Sequence, residues 1–136
     1  MKNLAISANH LYKQVYDTGQ KVYCRHIVVY VLTDYHASRL ARENPLKTKV
    51  NRLGITVTKK LGKAVVRTRV RRILRAAYSS LERENHIKKG LLIVIAARPA
   101  AVTAKSGDIY GDLLYAAGKL GLILPAPQKP AESGTL

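Results

Sequence analysis

Residues 52–75 read RLGITVTKKLGKAVVRTRVRRILR, and two hydrophobic periods meet inside them. Over residues 52–58 the side chains alternate, with Leu53, Ile55 and Val57 on one side and Arg52, Gly54, Thr56 and Thr58 on the other. A period of two marks a strand with one buried face. A turn through Leu61 and Gly62 then changes the period to that of a helix. On a helical wheel, Val66, Val70, Ile73, Leu74, Ala77 and Leu81 fall within about 100° of one another. Arg67, Arg69, Arg71, Arg72 and Arg75 spread over the opposite side. The pattern predicts a strand followed by a long helix, residues 64–84. Its apolar stripe docks on a sheet and its five guanidiniums turn outward.

Working outward, residues 91–97 (LLIVIAA) form an unbroken apolar run introduced by Lys89 and Gly90 and ended by Pro99. Such a run fits a strand buried on both faces. Ser106 is the expected cap of a last helix, with Asp108 in its first turn. Its stripe is Ile109, Leu113, Ala116, Ala117 and Leu120, and Gly121 sits at its C-terminal end. Upstream, residues 8–16 read as a short helix with Leu11 and Val15, and Tyr12 and Tyr16, each paired at i,i+4. Residues 22–32 are rich in β-branched and aromatic residues and read as a strand. Its odd positions, Tyr23, Ile27, Val29 and Val31, are expected to face the core. Its even positions, Cys24, His26, Val28 and Tyr30, are expected to be more open. Residues 33–51, with Pro45, read as a loop. Residues 1–124 are expected to form one domain and residues 125–136 a disordered tail.

The chain has 136 residues, enough for one domain, and its hydrophobic fraction of 47% excludes global disorder. Its charge is far from ordinary: 24 Lys and Arg against 8 Asp and Glu leave +16. Residues 39–75 carry thirteen of those cations and one anion, Glu43. A solvated surface mixes signs, so a run this pure points to a face for a polyanion. The like charges at Arg67, Arg71 and Arg75 cost an isolated helix a few tenths of a kcal/mol per pair, roughly. No acidic residue within the helix precedes Glu82 to offset them. Arginine also suits phosphate better than lysine, because its planar fork bonds two oxygens at once and stacks on bases.

Other classes of function find little support. Cys24 is the only cysteine and is expected to be inert; His10, His26, His36 and His86 are scattered singly without zinc-ligand spacing. The carboxylates form no paired set suited to Mg²⁺, and there is no Ser-His-Asp order or glycine-rich phosphate loop. No apolar run approaches the roughly 18 residues of a membrane span, and Lys2 is followed by no secretory signal. A soluble, cytoplasmic protein is expected. Tyr12 and Tyr16 admit two readings, as core residues or as the wall of a half-open cleft where a base can stack.

Residues 59–75 resemble the signature of the bacterial ribonuclease P protein component, a helix written R-N-R followed by basic residues. Arg67, Arg69, Arg71, Arg72 and Arg75 match it, and Thr68 stands where Asn is usual. The likeness runs from about residue 11 to residue 122. Tyr12, Tyr16 and Gly19 resemble the family's first helix with its paired aromatics, and Tyr30 an aromatic on the adjacent strand. Arg52-x-Gly54 resembles the opening of the strand before the motif, and residues 92–99 a buried strand ending in Ala-Arg-Pro. The segment before the aromatics, with Ser7, Asn9 and His10, is less basic than the family's.

The resemblance implies an α+β sandwich in the order α-β-β-β-α-β-α, like the second domain of a ribosomal small-subunit protein. It also implies a left-handed β-α-β crossover around the basic helix, against the usual hand. Periodicity alone gives three of the strands; the fourth comes from the resemblance, through division of residues 20–32. The implied function is that of the protein subunit of ribonuclease P, a ribonucleoprotein endonuclease that removes the 5′ leader from precursor tRNA. Lys59, Lys60, Lys63, Arg67, Thr68, Arg69, Arg71, Arg72 and Arg75 would bind the catalytic RNA. Tyr12, Tyr16, His26, Val28 and Tyr30 would hold the single-stranded leader. No catalytic residue or metal site is implied for the chain, and Mg²⁺ is a requirement of the RNA-containing holoenzyme. The partners are that RNA and precursor tRNA, with no membrane or DNA. Charge and fold alone would equally suit a structural ribosomal-type protein or an RNA chaperone; a stand-alone nuclease is the remaining rival.

Overall fold

A computed structural model describes residues 4–6, 9–43 and 51–124. The chain runs β1 (Leu4–Ala5), α1 (Asn9–Thr18), β2 (Gln20–Tyr23), β3 (Ile27–Thr33), α2 (Ala37–Glu43) and β4 (Arg52–Thr56). It continues through a short 3₁₀ turn, Lys59–Leu61, into α3 (Ala64–Glu84), β5 (His86–Ile87) and β6 (Leu91–Ala97). A second 3₁₀ turn, Pro99–Thr103, leads to α4 (Ser106–Leu120) and β7 (Ile123–Leu124). Apart from α2, which the expected order lacks, and the two-residue strands, the elements α1, β2, β3, β4, α3, β6 and α4 give the expected α+β order. The tail expected over residues 125–136 falls outside the described residues.

The main sheet has the order β1-β4-β6-β3-β2, with β5 and β7 paired separately. β4 is parallel to β1 and β6, whereas β6, β3 and β2 are successively antiparallel. The parallel neighbours β4 and β6 are therefore joined through α3. Central β6 explains its own composition. Leu91, Ile93 and Ile95 join the core beneath α3 and α4, while Leu92 and Val94 join a second core beneath α1. Both faces are covered, so no position in the run can be polar.

α3 spans the residues its period predicts and buries Val70, Leu74, Ala77 and Leu81, with Val66 and Ile73 half-buried beside them. Each such aliphatic side chain contributes about 1.5–3 kcal/mol relative to an exposed one. Tyr78 belongs to the same stripe at 2% exposure, a position the wheel did not single out. Burial, then the charge of Glu82, push its hydroxyl well above the usual phenol range. Fully buried Asn51 donates to the Lys88 carbonyl at 3.0 Å and accepts the Leu91 N–H at 3.0 Å. One side chain thereby fastens the approach to β6 against the start of β4.

Four expectations need correction. The supposed loop over residues 33–51 contains α2, where Ala37, Leu40, Ala41 and two arginines favour helix. The cap of α4 lies one residue earlier than Ser106: the Lys105 N–H donates to Asp108 Oδ2 at 3.0 Å. Gly121 does end that helix in the left-handed conformation, at φ 72°. The single strand that periodicity gives over residues 22–32 is divided, as the resemblance implies, into a hairpin whose two arms pair residues of opposite parity: Val22 with Val29, Tyr23 with Val28. Opposed residues share a face, so the odd-inward rule holds for β3 and reverses in β2. Tyr23 is consequently 62% exposed instead of inward, and Cys24 and Val28, at 8% and 6% exposure, are buried instead of open.

Candidate nucleic-acid interface

On the face away from α3 and α4, strand register lines the side chains into rows. One row runs Gly54, Val94, Tyr30 and Lys21; the next runs Thr56, Ala96, Val28 and Tyr23. α1 covers the first row and leaves the second, floored by small side chains, along its flank. Tyr12 lies over Gly54 so closely that a Cβ there would come within 2.6 Å of the Tyr12 hydroxyl. Tyr16 meets the Thr56 hydroxyl at 2.8 Å and the Tyr30 ring edge-on, with centroids 4.8 Å apart. Tyr12 and Tyr16 are 6.4 Å apart. Burial, first, raises the Tyr12 and Tyr30 hydroxyls above the ordinary phenol range. They stay neutral and able to donate, and all three rings keep part of their surface open.

α3 packs against β4 from the other side of the sheet, and the charge of its Arg75 reaches the Tyr12 hydroxyl of the groove. Thr68, Arg69, Arg72 and Arg75 are exposed, and Arg67 and Arg71 half-buried. Arg71, Arg72 and Arg75 have no hydrogen-bond or ion-pair partner among the described residues. Two arginines do have partners. Arg67 Nε donates to the Gly62 carbonyl at 3.2 Å, and the Arg69 fork donates to the carbonyls of Val102 and Ala104 at 2.9 and 3.3 Å. Lys59, Lys60 and Lys63 are exposed around the N-terminus of α3, whose first turn holds no acidic side chain. Free backbone N–H groups, the positive end of the helix dipole and three ammoniums therefore coincide.

A family profile described as Ribonuclease P matches residues 1–121. The chain belongs to the ribonuclease P protein family. The Ribonuclease P protein component of Clostridium acetobutylicum is 33% identical over 124 residues, covering 91% of this chain and 94% of that protein. That of Clostridium botulinum strain Langeland is 30% identical over 122 residues, covering 90% and 98%. The solved Staphylococcus aureus RNase P protein superposes with a TM-score of 0.69 at 27% identity, covering 90% of this chain and all of that one. The RNase P protein from Thermotoga maritima shares the fold, with a TM-score of 0.62 at 21% identity over 85% of this chain and 94% of that one. This is a ribonuclease P protein component of bacterial type, the part of a ribonucleoprotein endoribonuclease that assists an RNA in which the catalysis resides.

In this ribonuclease P protein the five expected groove residues do not all come together. Tyr12, Tyr16, Tyr30 and Val28 share one face, but His26 turns toward α4. Its ring Nδ1 lies 2.9 Å from Asp112 Oδ2, and its backbone N–H donates to the same oxygen at 2.8 Å. Burial, first, pushes the neighbouring Cys24 thiol up, away from reactive thiolate. Sequence reading passed over Thr56, Ala96, Lys21 and Tyr23, which become neighbours only through strand register. A short turn between two β-rich segments was the available signal for the hairpin. Among the described residues no three His, Cys, Asp or Glu side chains gather as a metal site. No described helix is long and apolar enough to cross a membrane.

Proposed function

We propose that this ribonuclease P protein grips the catalytic RNA with the outer face of α3 and holds the 5′ leader of precursor tRNA in the adjoining tyrosine groove. Arg71, Arg72 and Arg75, together with Lys59, Lys60, Lys63, Arg67 and Thr68, take RNA phosphates. Arg69 keeps part of its fork for the protein. Tyr12, Tyr16 and Tyr30 offer bases π-faces and hydroxyl donors, and Val28 lies buried beneath them on the same face.

One observation carries the reading: α3 packs against one face of β4, and Tyr12 and Tyr16 sit over Gly54 and Thr56 on its other face. The positive charge of Arg75 lies close enough to Tyr12 to draw its hydroxyl down against burial. An RNA on α3 and a single strand over Tyr12 would therefore be held by one rigid piece of protein, which fixes the leader relative to the ribozyme. The protein does no bond-breaking. The Mg²⁺ of the holoenzyme belongs to the folded RNA in this reading. Each phosphate neutralised by a guanidinium lessens the counterions that fold must confine. The setting is cytoplasmic.

The test is cleavage of precursor tRNA by a bacterial ribonuclease P RNA at limiting Mg²⁺, with and without the protein. Faster cleavage with it is expected. No gain would overturn the reading, and cleavage by protein freed of RNA would replace it with a stand-alone nuclease.

A further inference from the structure

The groove does not end at Tyr30. β2 forms the edge of the sheet, and there Lys21 stands opposite Tyr30 and Tyr23 opposite Val28, on the groove face. A single exposed tyrosine on an edge strand needs no explanation by itself. This one has a row. It ends the floor formed by Thr56, Ala96 and Val28, about 14 Å across four strands. It lies near enough to the Tyr30 hydroxyl to perturb it, and among the described residues no other ring stacks on it. Lys21, two residues away on the same face, and Arg25 in the hairpin turn are both exposed.

We propose that Tyr23 and Lys21 form an outer subsite for single-stranded RNA: Tyr23 stacks on a leader base beyond those held by the tyrosine trio, and Lys21 neutralises the adjoining phosphate. An aromatic face alternating with a cation is the pattern by which proteins hold single strands without reading sequence. The net charge of +16 favours a polyanion over a second copy of the chain. The subsite rests on the reading of the groove as the leader site.

The experiment uses holoenzyme reconstituted with wild-type protein, Tyr23→Ala, Tyr23→Phe or Lys21→Ala, and precursor tRNAs whose leaders grow one nucleotide at a time. Wild-type affinity should climb stepwise with leader length. Tyr23→Ala should lose one of the later steps, about tenfold, and Tyr23→Phe should keep it. Lys21→Ala should reduce the salt dependence of long-leader binding by about one phosphate contact. If the wild-type affinity rises with length and Tyr23→Ala rises identically, the subsite is wrong and the groove stands. If wild-type affinity never depends on the leader, the groove reading falls and the subsite with it. Because Tyr23 is exposed, the melting temperature of each variant should stay near that of the wild type.

Discussion

The Tyr16 hydroxyl lies 2.8 Å from the hydroxyl of Thr56, so a ring on α1 is tied across the groove to strand β4. Tyr30 meets the same ring edge-on. The bond sets the height of Tyr16 above the floor, while the ring supplies the stacking surface. Tyr16→Phe should therefore cost about 1 kcal/mol of stability through the lost hydroxyl bond and leave much of the leader affinity. Tyr16→Ala should cost roughly 1–3 kcal/mol in binding leader-bearing precursor and nothing for mature tRNA. Titrating both RNAs against each holoenzyme checks this; equal losses for the two would assign the ring to packing alone.

Gly54 makes room for Tyr12. A methyl at residue 54 would sit 2.6–2.8 Å from the outer end of the Tyr12 side chain. That end is free to swing, so the strain is relieved by expelling the ring, not by distorting the strand. Gly54→Ala should fold with a melting temperature close to wild type but bind precursor tRNA more weakly, resembling Tyr12→Ala. A large drop in melting temperature with unchanged leader binding would contradict this.

The arginines of α3 should divide into two kinds. Arg72→Ala and Arg71→Ala remove side chains with no hydrogen-bond or ion-pair partner among the described residues, so each should weaken binding of the RNA subunit and flatten its salt slope by about 0.7–0.9. Arg69→Ala also frees the carbonyls of Val102 and Ala104, and should lower stability by about 1 kcal/mol. Denaturant melts separate the two kinds, with Arg72→Ala near wild type and Arg69→Ala shifted.

Asp34 governs the acid limb of stability. Burial raises its pKa, but the fork of Arg52, at 2.7 and 2.9 Å, and then the His36 N–H outweigh burial and hold the carboxyl below its ordinary range. A depressed folded pKa stabilises above the unfolded value of about 3.9, and that contribution is lost as pH falls through the folded value. Stability should decline below about pH 4. Asp34→Asn should flatten that decline and, at neutral pH, cost about 3 kcal/mol by leaving Arg52 half-paired in a nearly closed site. Urea midpoints measured across the acid range test both statements.

Much of the site could be read in advance because it rests on local pattern. The period of residues 64–84 put five arginines opposite an apolar stripe, and a helix that docks by its stripe must present the other side. The unbroken run of residues 91–97 likewise had to be covered twice. The resemblance supplied the hairpin and grouped Tyr12, Tyr16 and Tyr30. Neither pattern nor resemblance reached Arg69, whose fork meets carbonyls 33 and 35 residues away, or His26, which finds Asp112 at a separation of 86.

Charge, period and composition by themselves determined that this chain builds a basic helix on a buried strand and offers it to a polyanion, because those properties are carried by neighbours along the chain. The facing of Tyr23 and Cys24, the seat of Tyr12 over Gly54 and the diversion of Arg69 and His26 were decided only in three dimensions. The first turns on the register of the β2–β3 hairpin, where one residue of slip reverses which side of a strand faces water; the others depend on contacts between segments far apart in the chain.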